Sequence, residues 1–298
     1  MTSNFYAHLS LFLAQLIYAM NYSIAKDLMP QNHGPVGPLA LVFYRIMGAV
    51  ILFWLVGFFF REKIEKKDIK KLMLLGALGV AINQGFFIYG LSLTEPINSA
   101  IIMISSPITV LLISVIFFQG KMGLGKISGI ILGSTGALIL LMFNRNFNLG
   151  SSTALGDTYT LINSVSWACF MVISKPIIEK YNVVTVMKWI FLFGFLYFLP
   201  FGLKDVCKTD YQSFSQSHWV ALSFVIIGTT FFAYLLNTYA LKKLNSTTVA
   251  SYIFIQPFLA GFIAISLGKD ELYLKKIFAG ALIIIGVWLI SRKEKIIN

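Results

Sequence analysis

Residues 89–107, YGLSLTEPINSAIIMISSP, return 150 positions later as YALKKLNSTTVASYIFIQP at 239–257. The shift pairs Tyr89 with Tyr239, Leu91 with Leu241, Ala100 with Ala250 and Pro107 with Pro257. The same gapless register carries Lys126, Ile127 and Gly136 onto Lys276, Ile277 and Gly286. A shift of 149 pairs Ala19, Ile24 and Lys26 with Ala168, Ile173 and Lys175, and sets Tyr18 against Trp167. Chance identity is common between apolar segments, but an unbroken register over about fifty positions marks an internal repeat. The chain therefore reads as two copies, residues 1–145 and 150–298.

Both copies consist of long apolar runs. A membrane-crossing helix needs about 20 predominantly apolar residues. Ten runs reach that length, at roughly 7–26, 37–60, 71–93, 97–119, 124–143, 155–178, 184–203, 218–241, 246–267 and 274–291. The runs are continuous and do not alternate, which excludes a β-barrel. The first has no basic residue before it and no small-residue cleavage site after it, so it reads as a retained helix. Five helices per copy is an odd number, so the second copy enters the membrane upside down. The expected fold is an all-α integral membrane protein of ten transmembrane helices in two inverted five-helix repeats. That architecture places a substrate site near the midplane, between halves that rock to open it to alternate sides.

Composition agrees. Of 298 residues, 57% are hydrophobic and 12% charged, against about 25% charged in ordinary globular chains. Mean hydropathy is +0.79. So few charges cannot cover a water-facing surface, which excludes a soluble enzyme, a disordered chain and a disulfide scaffold. The net charge of +12 lies mostly in short gaps between apolar runs, as loops that fix orientation require, and not in a nucleic-acid footprint. With the N-terminus inside, sixteen of the 24 Lys and Arg fall on the inner side and seven on the outer, with Arg45 within the second run. Both termini are therefore expected in the cytoplasm. Cys169 lies in an apolar run and Cys207 in a polar loop, and both read as inert.

The order of short motifs across the two copies resembles the drug/metabolite transporter superfamily, specifically its EamA family of ten-helix carriers. The matching residues are Asn98-Ser99-Ala100 and Ser246-Thr247-Thr248-Val249-Ala250 at the starts of the fourth and ninth runs, each followed by its proline. Arg45, the pair Trp167-Ala168, and Glu271 ahead of Gly280 and Gly286 also match. Lys121 stands where the first copy would repeat Glu271. The resemblance implies movement of small metabolites across the bacterial inner membrane, amino acids (aromatic ones included), purines, sugars or drugs among them. An amino acid exporter working by alternating access is the foremost expectation, with a multidrug or purine/sugar permease as the alternative.

Polar side chains at midplane depth are costly unless they face a cavity or a partner helix. Tyr18 and Tyr22 on the first run share a face with Gln15, and Asn163, Ser166 and Trp167 follow i, i+3, i+4 spacing on the sixth. Asn83 and Gln84 on the third, Ser106 on the fourth, Tyr234 and Asn237 on the eighth, and Gln256 on the ninth complete the candidate substrate site. Any one of these serves equally well as interhelical glue; together they favour a cavity with aromatic walls and amide hydrogen-bonders.

Pro107 and Pro257 are candidate gating kinks, each removing the donor for the carbonyl four residues back, at Met103 and Ile253. Arg45 is a candidate for binding a substrate carboxylate, but about eight residues into its run it is read foremost as structural, snorkelling or bonding backbone carbonyls. The stripe Gly129, Gly133 and Gly136 reads as close packing within one chain, although such stripes also serve dimers. Asp and Glu keep to the ends of the runs, which favours facilitated transport over a proton relay through a central carboxylate. An enzyme is the remote alternative: His8, His33 and His218 lie at helix ends or in loops, and no nucleophile, zinc or P-loop motif occurs. No cofactor or metal is expected, no nucleic-acid partner, and a monomer or homodimer in lipid.

Overall fold

A computed structural model describes residues 2–30, 34–60, 62–94, 96–118, 123–142, 154–266 and 274–292. Lys121, Glu271 and the junction between the two expected copies lie outside these residues. Among them, all regular structure is helical. We number the helical rods α1 (Thr2–Asp27), α2 (Pro38–Gly57), α3 (Lys66–Leu93), α4 (Pro96–Met103 with Ser106–Phe118) and α5 (Leu124–Met142). They continue as α6 (Ala154–Lys180), α7 (Val183–Val206), α8 (Gln216–Lys243), α9 (Ser246–Ser251 with Ile255–Ser266) and α10 (Leu274–Ser291). The eight rods α2 to α9 are long and apolar enough to cross a membrane, and within α10 the shorter stretch Ile277–Ser291 is apolar. This is an all-α membrane protein. Long α1 falls outside the eight; its apolar character is diluted by Gln15, Asn21 and other polar side chains.

Local chemistry sets the helix ends. Pro38 opens α2, where its missing N–H costs nothing. Asn182 caps α7, its Oδ1 accepting from the Val184 N–H at 2.9 Å. Ser215 and His218 form a reciprocal capping box at the start of α8. At the start of α9, Asn245 Oδ1 accepts from the Thr248 N–H at 2.7 Å. Asn245, just before that motif, thus has a plain structural role in satisfying a first-turn donor, while Ser246 Oγ and Thr248 Oγ1 donate to Met171 O and Ile290 O of neighbouring helices.

The prolines act differently from the kinks expected within continuous helices. α4 is interrupted at Ile104 and Ser105, and a new helix starts at Ser106, putting Pro107 in its first turn. In α9 a 3₁₀ turn, Tyr252–Phe254, precedes the helix starting at Ile255, so Pro257 also lies in a first turn. Proline is tolerated there because the first-turn N–H has no intrahelical partner to lose.

Two other rods carry widened, π-helical turns: Ala77–Ile82 within α3 and Phe224–Phe232 within α8. Such turns free backbone carbonyls, and they frequently occur at functional sites. Here the freed groups find partners. Ser166 Oγ donates to Leu78 O at 2.7 Å, and Thr230 Oγ1 donates five residues back to Val225 O at 2.8 Å. Gly79 lies in the first widened turn against the Phe170 ring, which occupies the space a Cβ would need.

The principal packing pairs are α1 with α8 and α9, α2 with α7, α3 with α6 and α7, α2 with α8, α4 with α6 and α9, and α5 with α10. Exchanging α1–α5 for α6–α10 in order leaves this set unchanged. At one end of the bundle Lys180 bridges Glu65 and Asp68, each at 2.6 Å, and the Tyr181 hydroxyl donates to Asp68 at 2.7 Å. Lys242 Nζ donates to Tyr181 O at 2.7 Å, holding the end of α8 to the same cluster.

The glycine stripe of α5 is consumed inside the chain. Gly129 faces Gly286 O, Gly136 faces Ala279 O, and Gly133 meets the Phe254 ring. The α5–α10 backbones approach too closely for larger side chains, as in small-residue interfaces within bilayers.

Candidate functional site

A cavity of about 90 Å³ lies at the middle of the bundle, lined by α1, α2, α3 and α4 on one side and α6, α8 and α9 on the other. All ten residues put forward from the sequence as substrate contacts border it: Tyr18, Tyr22, Asn83, Gln84, Ser106, Asn163, Trp167, Tyr234, Asn237 and Gln256. Gln15 and Asn21 join them.

Several of these residues also hold helices together. The Tyr234 hydroxyl lies 2.9 Å from Asn83 Oδ1 and 3.0 Å from Gly79 O, so its proton serves either acceptor across the α8–α3 seam. Asn163 Nδ2 donates to Asn83 O at 2.7 Å. Gln256 Nε2 donates to Gln15 Oε1 at 2.6 Å, linking α9 to α1, while Asn237 Nδ2 turns back to Ala233 O at 2.8 Å. Glue and cavity wall are therefore not alternatives here. One end of an amide fastens a helix while its other end faces the space.

The aromatic residues form a connected wall. Trp167 meets Tyr234 edge-on at 5.5 Å and stacks on Phe170 at 5.2 Å, while Tyr234 meets Phe191 at 5.1 Å. Tyr22 sets its edge against Phe87, another lining residue, at 5.6 Å. Rings held in these offset and edge-on arrangements keep a defined shape at little entropic cost.

Neither Pro107 nor Pro257 lines the cavity, but Met103 and Ile253 do. The two helix interruptions thus bring corresponding residues of α4 and α9 to the same space, along with Ser106 and Gln256, which are also 150 positions apart. Ser166, placed on the cavity face by spacing, instead points to α3 and bonds Leu78 O.

Of the eleven buried side-chain polar atoms without a partner among the described residues, six belong to residues lining this cavity, and the other five lie on Asn98, Ser164, Ser174 and Thr185. Asn21 Oδ1, Arg45 Nη1, both polar atoms of the Gln84 side chain, Ser106 Oγ and Asn163 Oδ1 are buried and unbonded. A buried donor or acceptor left unpaired costs about 1–3 kcal/mol. Such a cluster in a mostly aromatic cavity fits a site built for a polar ligand. Arg45, read as structural from the sequence, is 3% exposed and borders the cavity. Among the described residues, those lining the cavity include no carboxylate. The sequence reading also passed over Phe87, Met171, Val249 and Ala250, whose apolar character gives no sign that they face a cavity.

The sequence profile of the EamA-like transporter family matches residues 5–142 and again residues 154–292. An uncharacterized transporter of Archaeoglobus fulgidus is 25% identical over 292 residues, covering 96% of this chain and 98% of its own. WAT1-related protein At3g18200 of Arabidopsis thaliana is 25% identical over 278 residues, 83% of this chain and 72% of its own length. A solved crystal structure superposes with a TM-score of 0.74 at 17% identity, covering 97% of this chain and 96% of that one, a likeness of fold. With a profile matched over nearly its whole length, the chain belongs to the EamA-like transporter family and is a multi-pass membrane transporter.

Proposed function

We propose that this chain is a secondary transporter that binds a compact polar metabolite, an amino acid foremost, in the central cavity. The cargo passes by alternating access between two inverted five-helix halves, outward across a bacterial inner membrane, with both termini in the cytoplasm. The observation that carries this reading is the cluster of buried, unpartnered amide, hydroxyl and guanidinium atoms lining one aromatic-walled space. The cavity is small beside drug-sized ligand sites of about 300–1,000 Å³, which favours a compact solute over a bulky drug.

Four observations support the alternating motion. Packing pairs are preserved when the two sets of five helices are exchanged. The family profile matches twice, once in each half. Widened turns occur in both α3 and α8. Interruptions occur in both α4 and α9, next to the prolines. Irregular backbone is tolerated at membrane depth where it lines a cavity, and each interruption offers a place for a half to bend. A lining of amides, hydroxyls and one guanidinium, without a carboxylate among the described residues, favours facilitated transport over proton exchange through the cavity.

Counterflow in proteoliposomes tests the proposal. Purified protein is loaded with unlabelled compound and offered labelled amino acids, nucleobases or sugars, with and without a pH gradient. Saturable uptake of an amino acid, driven by unlabelled amino acid inside and indifferent to the gradient, is expected. Linear, non-saturable flux would indicate a pore, and no exchange by folded protein would refute the cargo assignment.

A further inference from the structure

Among the described residues, Arg45 is the one charged side chain lining the cavity, and its charge is not neutralised there. It projects from the middle of α2 and is 3% exposed. Its Nε donates to Thr230 Oγ1 at 3.1 Å, and that hydroxyl passes its own proton to Val225 O across the widened turn of α8. The guanidinium is thereby fixed in orientation, while Nη1 is buried without an acceptor. Among the described residues no carboxylate forms a salt bridge with Arg45.

A purely structural arginine would have its donors spent on neighbouring helices. An unpaired cation in the bilayer interior is costly, and such residues normally pair with one another, with backbone carbonyls or with a ligand. Guanidinium donors suit carboxylate and phosphate oxygens. Charge balance decides between them. One cation with no companion in the lining pairs with a single carboxylate, leaving the ammonium of an amino acid to the unpartnered acceptors Asn21 Oδ1 and Asn163 Oδ1, whereas a phosphate dianion would keep an unpaired negative charge in a low-dielectric space. The unpartnered hydroxyl of Ser106 adds a hydrogen bond without changing that balance.

We propose that Arg45 is the carboxylate-recognising residue of the cavity, so that the cargo carries one carboxylate group held at Nη1. The inference rests on the carrier reading above and deepens it. It makes the carboxylate a condition of binding, with the remainder of the solute against the aromatic wall formed by Trp167 and Tyr234.

The test compares matched probes: L-leucine with L-leucinamide, and L-phenylalanine with L-phenylalaninamide, each as a competitor of counterflow and as a ligand shifting the thermal midpoint of the purified protein. Wild type is expected to prefer each acid over its amide by about ten- to hundredfold, the worth of a charge-assisted hydrogen bond in a buried site. Arg45→Gln should abolish the preference of each acid over its amide, and Arg45→Lys should keep part of it. Saturable exchange with acids and amides equal in wild type would overturn the role of Arg45 and leave the carrier reading standing, and this arm needs no variant to fold. An equal loss for acid and amide in folded Arg45→Gln would return Arg45 to a structural role. Absence of saturable exchange and of any thermal shift for all four probes would overturn the amino acid carrier reading and this inference with it.

Discussion

Replacing Gly286 by alanine should loosen the α5–α10 pair. A Cβ at that position would lie 2.6 Å from Gly133 N, 2.7 Å from Gly129 O and 2.8 Å from Gly133 Cα. All three are backbone atoms, so no side chain can rotate away. Relief to about 3.4 Å, ordinary contact, requires the helices to part by about 0.8 Å. A gap of about 0.5–1 Å forfeits a quarter to a half of each dispersion contact, worth about 0.1–0.2 kcal/mol. Over roughly 100 atom pairs, the contacts of about two buried leucines, the loss is about 5 kcal/mol. The better helix propensity of alanine returns about 1 kcal/mol, and partial relaxation lowers the cost further, leaving a net destabilisation of about 2–4 kcal/mol. Gly261 is the control, since a Cβ there meets nothing within 4 Å; Gly261→Ala should be neutral or up to about 1 kcal/mol stabilising. The assay is reversible unfolding in mixed maltoside and dodecyl sulfate micelles, reading the midpoints of the three proteins side by side. A midpoint for Gly286→Ala equal to that of wild type would refute the close approach of the two backbones as the reason for glycine there.

Trp167→Ala and Asn163→Ala should each lower counterflow at least about tenfold, the scale of one lost buried contact, with elution from size exclusion unchanged; normal flux in both would reduce them to interhelical fasteners. Pro107→Ala and Pro257→Ala should slow maximal flux to a similar extent, because each restores a donor for a lining residue's carbonyl and lets the helix run through its interruption; sensitivity at only one proline would mean that the halves move differently. Tyr234→Phe strips the hydroxyl that serves Asn83 Oδ1 and Gly79 O and should cost about 0.6–1.7 kcal/mol, the range for interhelical bonds in bilayers, measured by the same micelle unfolding. Glu65, hydrogen-bonded by Lys180 and then by Lys67, has its carboxyl held below its ordinary value of 4.5. A depressed carboxyl stabilises the fold above its unfolded value and loses that contribution as pH falls through the folded one. Glu65→Gln should therefore flatten the acid limb of the stability curve below about pH 4.5, and an unchanged limb would refute the assignment.

Membrane insertion and helical class were legible in the sequence because they follow from additive properties. Twenty apolar residues in a row bury the same surface in lipid whatever their neighbours are, and the 150-residue recurrence from Tyr89 to Pro107 needs only comparison of the chain with itself. Periodicity also brought Tyr18, Asn163, Trp167 and Tyr234 to a common cavity, since residues three and four apart share a helix face. What periodicity could not supply was the division of labour within a side chain: which end of Asn163 binds α3 and which faces the space. The same limit misassigned Ser166, whose partner exists only because α3 widens at Ala77–Ile82.

Arg45 marks the boundary most clearly. Its sequence neighbours are apolar and its charge is compatible with snorkelling, so the linear pattern favours a structural role. Tertiary structure fixes a different environment: Thr230, 185 residues away, takes Nε, and Nη1 is left without an acceptor beside unpartnered amides. Likewise the prolines announce an irregularity, but whether each bends a helix or begins one depended on how the preceding turn unwinds against its neighbours. Solvent, class of element and the faces those elements offer follow from composition and period alone. The charge balance of the cavity and the partners of its polar atoms were decided only by tertiary structure, because hydrogen bonding and desolvation depend on distances between residues far apart along the chain.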